Sequence, residues 1–269
     1  MSRSRLFLAF LRRDFLINWS YKIGFLYQIG SVLSGMITLL FVGRMIGKHT
    51  PDTVKLYHTY YFTFSLIGVA FVDYMFVSMR TFASSIRVAQ VVGTLEAMLM
   101  TPVKPVEIVL FSATYPYIST LVRSLVILLL GVAFGAGLTD INLLSVVAFV
   151  LLTVFTFSGL GMISAALTMY IKQAEPVSSL FAGLSFLLGG VLYPVQSLPA
   201  WLQRISWALP MTHSVEGLRR SLLFGDSIVQ LGPHALFLVA WAVVLFPLGA
   251  YSINRVTDYL AKQGAFGEY

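Results

Sequence analysis

The stretch "INLLSVVAFVLLTVFTFSGLGMISAALTMYI", Ile141 to Ile171, contains no Asp, Glu, Lys or Arg. A helix needs roughly 20 apolar residues to cross about 30 Å of hydrocarbon, and this run is longer than that. Transmembrane barrel strands need only about 10 alternating residues, so the length also argues against a barrel. The run reads as a membrane-crossing helix.

The rest of the chain repeats the pattern. Over 269 residues it is 58% hydrophobic and 11% charged, with mean hydropathy +0.84. A soluble domain keeps about a quarter of its residues charged. Five further apolar runs can be read: Ile23–Gly43, Leu56–Met79, Ile108–Thr139, Pro176–Gln203 and Ser227–Asn254. The second holds His58 and Asp73, the third holds Arg123, and the others carry no Asp, Glu, Lys or Arg. The expected fold is all-α and polytopic: one transmembrane domain over 1–269, with six spans in 23–254.

The opening "MSRSRLFLAFLRRDF" has too short an apolar core for a signal peptide, and Arg12-Arg13-Asp14 stands where a cleavage site should be. Phe7, Phe10 and Leu11 can share one helical face while Arg5 and Arg12 point elsewhere, which predicts an interfacial helix in 1–22. A frayed basic tail is the alternative.

Charge sets the orientation. Cytoplasmic loops carry an excess of Lys and Arg. With the N-terminus inside, Arg3, Arg5, Arg12, Arg13, Lys22, Arg80, Arg87, Lys104, Lys172, Arg255 and Lys262 fall inside. Arg44, Lys48, Lys55, Arg204, Arg219 and Arg220 fall outside, and Arg123 is intramembrane. Both termini, including the tail 255–269, are expected in the cytoplasm of a multi-pass protein of the cell inner (plasma) membrane. The net charge of +7 is thereby explained without a nucleic-acid partner.

Several chemistries are missing. There is no cysteine, hence no disulfide or thiolate metal site. His49, His58, His213 and His234 lack metal-ligand spacing and read as interfacial polar residues. The nearest phosphate-loop look-alike, "GRMIGKHT" from Gly43, has the wrong glycine spacing and puts His49 where a Ser or Thr should bind magnesium. No GxSxG, HExxH or loop carboxylate cluster suggests an enzyme. No metal or cofactor is expected on this chain.

Two segments interrupt the apolar runs. In "GTLEAMLMTPVKPVE", Gly93 to Glu107, Thr94 can cap a short helix from Leu95, with Glu96 favourable at its positive end. Thr101-Pro102 stops it. Leu95, Met98 and Leu99 cluster on one side of a helix too short to stand alone, so it needs a groove. An ordinary linker helix is the other reading. In "GGVLYPVQSLPAWLQRISWALPMTHSVEGLRRSLLFG", Leu198, Trp201, Leu202, Ile205 and Leu209 form one stripe, and Pro210 ends it. Val215, Leu218 and Leu222 form a second, with Glu216 and Arg220 turned away and Arg219 at its edge. This predicts two amphipathic helices in the outer interface, anchored by Trp201 and Trp207.

Together these segments resemble the membrane subunit of an ABC-2 type exporter. "GTLEAMLMTPV" resembles the family's cytoplasmic coupling segment. Tyr193-Pro194, Leu198-Pro199-Ala200-Trp201-Leu202, Pro210-Met211-Thr212 and Arg219 resemble its signature. The resemblance implies a permease that pairs with a second copy of itself and with two copies of a cytoplasmic ABC ATPase, which would hold the ATP and magnesium. Thr94, Leu95, Glu96, Met98, Leu99 and Pro102 would couple to that ATPase. The helices from Leu198 to Leu223 would be re-entrant and cap the exit. The implied cargo is an amphipathic small molecule or lipid. A polysaccharide or lipid-linked glycan is the alternative, with Tyr57, Tyr60, Tyr61, Tyr115 and Tyr117 as candidate path residues. A third reading is an ATP-independent channel or scaffold.

Two intramembrane features complete the reading. Asp73 and Arg123 match in depth if Pro116 marks the true entry of the third span, which predicts an ion pair. "GVAFG", Gly131 to Gly135, and "GMISA", Gly161 to Ala165, are small-residue patterns suited to close helix packing within the chain.

Overall fold

The computed structural model describes residues 3–20, 22–46, 52–57, 59–93, 103–171 and 175–263. Their regular elements are all helical. In chain order these are α1 (Arg3–Ser20), α2 (Lys22–Ile46), α3 (Asp52–Lys55), α4 (Tyr61–Val91) and α5 (Pro105–Ala133). Then come α6 (Leu143–Ile171), α7 (Glu175–Leu188), a 3₁₀ turn (Val195–Ser197), α8 (Ala200–Ala208), α9 (Pro210–Leu223) and α10 (Gly232–Gln263). Among the described residues, α4, α5, α6 and α10 are long and apolar enough to cross a membrane.

α4 is the central helix. Its apolar stretch is 78% buried, against 22% for α5 and for α10. Phe64, Leu66, Ile67, Phe71 and Tyr74 fill one core cluster with Phe149 of α6 and Leu218 of α9. Phe82 and Ile86, two turns further on, join Val109, Met162 and Ile253 in a second. α4 ends because Gly93 turns left-handed (φ 74°) after a last Val92 N–H to Val88 O bond of 2.9 Å. α5 starts with Pro105 in its first turn, where a missing N–H costs nothing.

Gly131 and Gly161 pack within the chain, whereas Gly135 lies past the end of α5 and a Cβ there would meet nothing within 4 Å. A Cβ on Gly131 would run into the Leu66 side chain of α4, and one on Gly161 would sit 2.6 Å from the Ser78 carbonyl. α6 and α10 approach so closely that a Cβ on Gly249 would lie 2.6 Å from the Gly159 carbonyl oxygen. α1 lies on α5 through the face expected of it: the Phe7 and Phe10 rings sit 5.8 and 6.1 Å from Phe111.

Two expectations need correction. The run Pro176–Gln203 is not one helix. α7 has 14 residues, about 21 Å, which is short of the hydrocarbon thickness. Gly190 then turns left-handed (φ 70°), and Pro194 and Pro199 hold extended backbone before α8. α5 runs unbroken through Pro116 from Pro105. α9 is not a surface helix: Met211 to Val215 and Gly217 to Arg219 are all buried. Its charged residues can turn inward because partners wait there.

Candidate functional site

The break after α7 creates a demand. Reversing at Gly189-Gly190 leaves carbonyls without helical partners, and Val191 is fully buried. Arg219 meets the demand from α9. Its Nη1 donates to the Gly190 carbonyl at 2.7 Å and Nη2 to Val191 at 2.5 Å, while Nε donates to Phe64 O on α4 at 3.2 Å. The guanidinium lies 3.5 Å above the Phe64 ring. At 2% exposure this side chain ties three elements together. Gly68 permits the approach, since a Cβ there would strike the Val191 carbonyl and come 2.7 Å from Nη2. In the sequence Arg219 stood at the edge of a stripe and in the family signature, with no sign of what it would hold. The clue was the Gly-Gly break, whose carbonyls had to find donors.

Glu216, one turn earlier, accepts a hydrogen bond of 2.8 Å from the Tyr57 hydroxyl. Burial pushes its carboxyl pKa up, while the Arg219 charge and the Tyr57 bond pull it down. A hydrogen bond of 2.9 Å between Thr53 and Ser197 also ties the 52–57 segment to this end of the bundle. Pro194 and Pro199 enter the 3₁₀ turn and α8 in extended conformation, and Leu198 lies between them. Trp201 stays exposed, whereas Leu202 is half-buried and Pro210 buried.

Two histidines that looked scattered come together. His213 Nε2 lies 2.8 Å from the Trp207 carbonyl, and its Nδ1 lies 2.9 Å from His234 Nδ1. A carbonyl only accepts, so Nε2 carries the hydrogen, and in the neutral ring Nδ1 then accepts from His234. The ring stacks on Phe237 at 3.9 Å. Burial pushes the His213 pKa down and favours that neutral form. Among the described residues no three His, Cys, Asp or Glu gather as a metal site.

Midway along the bundle, Arg123 Nη1 donates to Asp73 Oδ2 at 3.0 Å. Both residues lie 18 positions from the helix ends that flank the 92–104 connection, Val91 and Pro105. Antiparallel helices therefore set them level, at about 27 Å from those ends. Nearby, the Tyr117 hydroxyl joins Ser78 at 2.7 Å and Ser158 at 2.8 Å, linking α4, α5 and α6. The coupling residues Thr94, Leu95, Glu96, Met98, Leu99 and Pro102 lie outside the described residues.

A helical bundle with four candidate spans and a broken fifth apolar run pinned by Arg219 defines a polytopic membrane protein. The chain matches the model of the ABC-2 type transporter family over residues 5–223 and belongs to that family. It is 30% identical over 125 residues to Nodulation protein J of Rhizobium meliloti (strain 1021), covering 46% of this chain and 47% of that protein. It is 28% identical over 174 residues to the probable multidrug ABC transporter permease YbhS of Escherichia coli (strain K12), covering 62% and 44%. The matched region thus spans under half the length of either relative.

Proposed function

We propose that this chain is the membrane-spanning permease subunit of an ATP-driven exporter. It works with two copies of a cytoplasmic ABC ATPase and a second copy of itself, and it moves an amphipathic small molecule or lipid out of the cytoplasm. The six spans of this reading are α2, α4, α5, α6, α7 with the segment after it, and α10. Both termini are cytoplasmic, α1 lies along the inner membrane surface, and α8 and α9 form the outer re-entrant cap. ATP and magnesium belong to the partner. The family match supports the transporter class, and the multidrug name carried by one relative favours amphipathic cargo over glycan. Tyr57 and Tyr117 are engaged with Glu216 and with serines, which leaves fewer rings for a sugar path.

The observation that carries the mechanism is α4. It has 31 residues, about 46 Å, so it outreaches the hydrocarbon by about 16 Å. Arg219 clasps it near one end, at Phe64, and its other end leads through Gly93 into Thr94–Pro102. A push delivered by the ATPase at that segment would travel along one rigid, buried helix to the outer cap. Leu99 enters an apolar groove of the ATPase, so Leu99→Asp should abolish co-purification of the ATPase and leave membrane insertion intact. A Leu99→Asp complex that still hydrolyses ATP in step with transport would overturn the reading.

A further inference from the structure

A cavity of about 440 Å³ lies between α4 and α7, away from the clusters described above. Phe76, Met79 and Ala182 give it apolar walls, and Arg80, Ser84 and Ser179 give it polar ones. Its size falls within the roughly 300–1,000 Å³ typical of sites for small organic ligands. Arg80 is the one charged side chain among its described lining residues.

That arginine is exposed and stands on the cytoplasmic part of α4 in the proposed orientation. It stands 11 residues before Val91, about 16 Å along α4 from that end. Arg80 has no carboxylate partner among the described residues, and its guanidinium lies 5.8 Å from the Phe76 ring centroid. Both Arg123 and Arg220, by contrast, hold an aspartate. A cation at the rim of an apolar cavity suits the anionic head of an amphipath.

We propose that this cavity binds an amphipath with an anionic phosphate or carboxylate head and an alkyl tail. Arg80 takes the head in a charge-assisted, two-pronged contact, with the Ser84 and Ser179 hydroxyls beside it. Phe76, Met79 and Ala182 take the first part of the tail. Gly183 leaves that part open, since a Cβ there would meet nothing within 4 Å. The molecule is either a resident membrane lipid or the cargo itself, and only the second identity rests on the exporter reading.

The test is native mass spectrometry of the purified full chain in detergent, titrated with 1-oleoyl-lysophosphatidic acid, its phosphatidylcholine counterpart and inorganic phosphate. The anionic lipid should bind about tenfold more tightly than the zwitterionic one, as a charge-assisted contact allows, and free phosphate should not bind. Arg80→Gln should remove the preference. Gly183→Leu, which fills the tail space, keeps the cation and favours helix, should weaken both lipids. Arg204→Gln, on α8, should change nothing. Equal binding of the two lipids, or a preference that survives Arg80→Gln, overturns the proposal. In phosphatidylcholine vesicles carrying the permease–ATPase complex, ATP-driven movement of the bound lysophosphatidic acid identifies cargo. Tight binding without movement identifies a resident lipid, which leaves both the site and the exporter reading standing.

Discussion

Asp73 and Arg123 meet at 3.0 Å, each the same 18 residues from the connection between their helices, and each about a quarter exposed. Neutralising one takes this ion pair from the other. Asp73→Asn and Arg123→Gln should therefore each lower the melting temperature of the detergent-purified protein, and the double mutant should recover most of the loss. The coupling should fall in the range of about 0.5–3 kcal/mol, toward the lower end because the pair is partly exposed. Recovered folding with transport still lost would give the pair a role in cargo handling.

Arg219 should be the least replaceable residue of the outer cluster. Arg219→Met orphans the two buried carbonyls of the turn, Gly190 and Val191, at roughly 1–3 kcal/mol each. Arg219→Lys keeps the charge but not the fork, and should be milder. Fluorescence-detected size exclusion after heating should rank wild type above Lys above Met. Equal profiles would show that the Gly189-Gly190 turn holds itself.

Gly131 presses on Leu66, so a larger residue there should damage the fold rather than free a monomer. Gly131→Leu should cut folded yield, and Leu66→Ala in the same chain should restore part of it by making room. A well-folded monomeric Gly131→Leu protein would instead place this glycine at a subunit contact.

Acid should loosen the outer cluster. Burial holds the folded pKa of His213 below the ordinary value of 6.5. Its neutral form contributes stability that is fully present above about 6.5 and is lost as the pH falls through the folded value. Glu216 nearby partly supports the cation, while His234 opposes it. The melting temperature should decline below pH 6.5 in the wild type. A smaller acid decline is expected in His213→Gln; equal slopes would show that other groups control it.

Single cysteines at Asp52 and Val92 would be clean reporters in a cysteine-free chain, and both positions are exposed. In intact cells an impermeant maleimide should label position 52 and spare position 92. The reverse pattern would sink the inside placement of the N-terminus.

The sequence by itself determined the class and four of the spanning helices from local composition, and the family from contiguous motifs. Charge-free runs of Ile141–Ile171 type demand helices in lipid, and the Tyr193–Arg219 signature is contiguous. It also placed the ends of α8 and α9 closely, since Pro210 and the prolines before it act on their neighbours. Tertiary structure decided everything that required one segment to find another. Counting depth from run ends put Asp73 and Arg123 at different levels until Pro116 was invoked, but α4 extends to Val91 and α5 begins at Pro105, and neither end is marked by hydropathy. His213 and His234 are 21 residues apart and meet only because α9 folds back onto α10. Arg219 looked like a surface charge because an amphipathic stripe reports apolar residues, not the carbonyls a distant Gly-Gly turn leaves unsatisfied. The buried charge is fixed by the backbone that needs it, and that backbone is brought to it only by the fold.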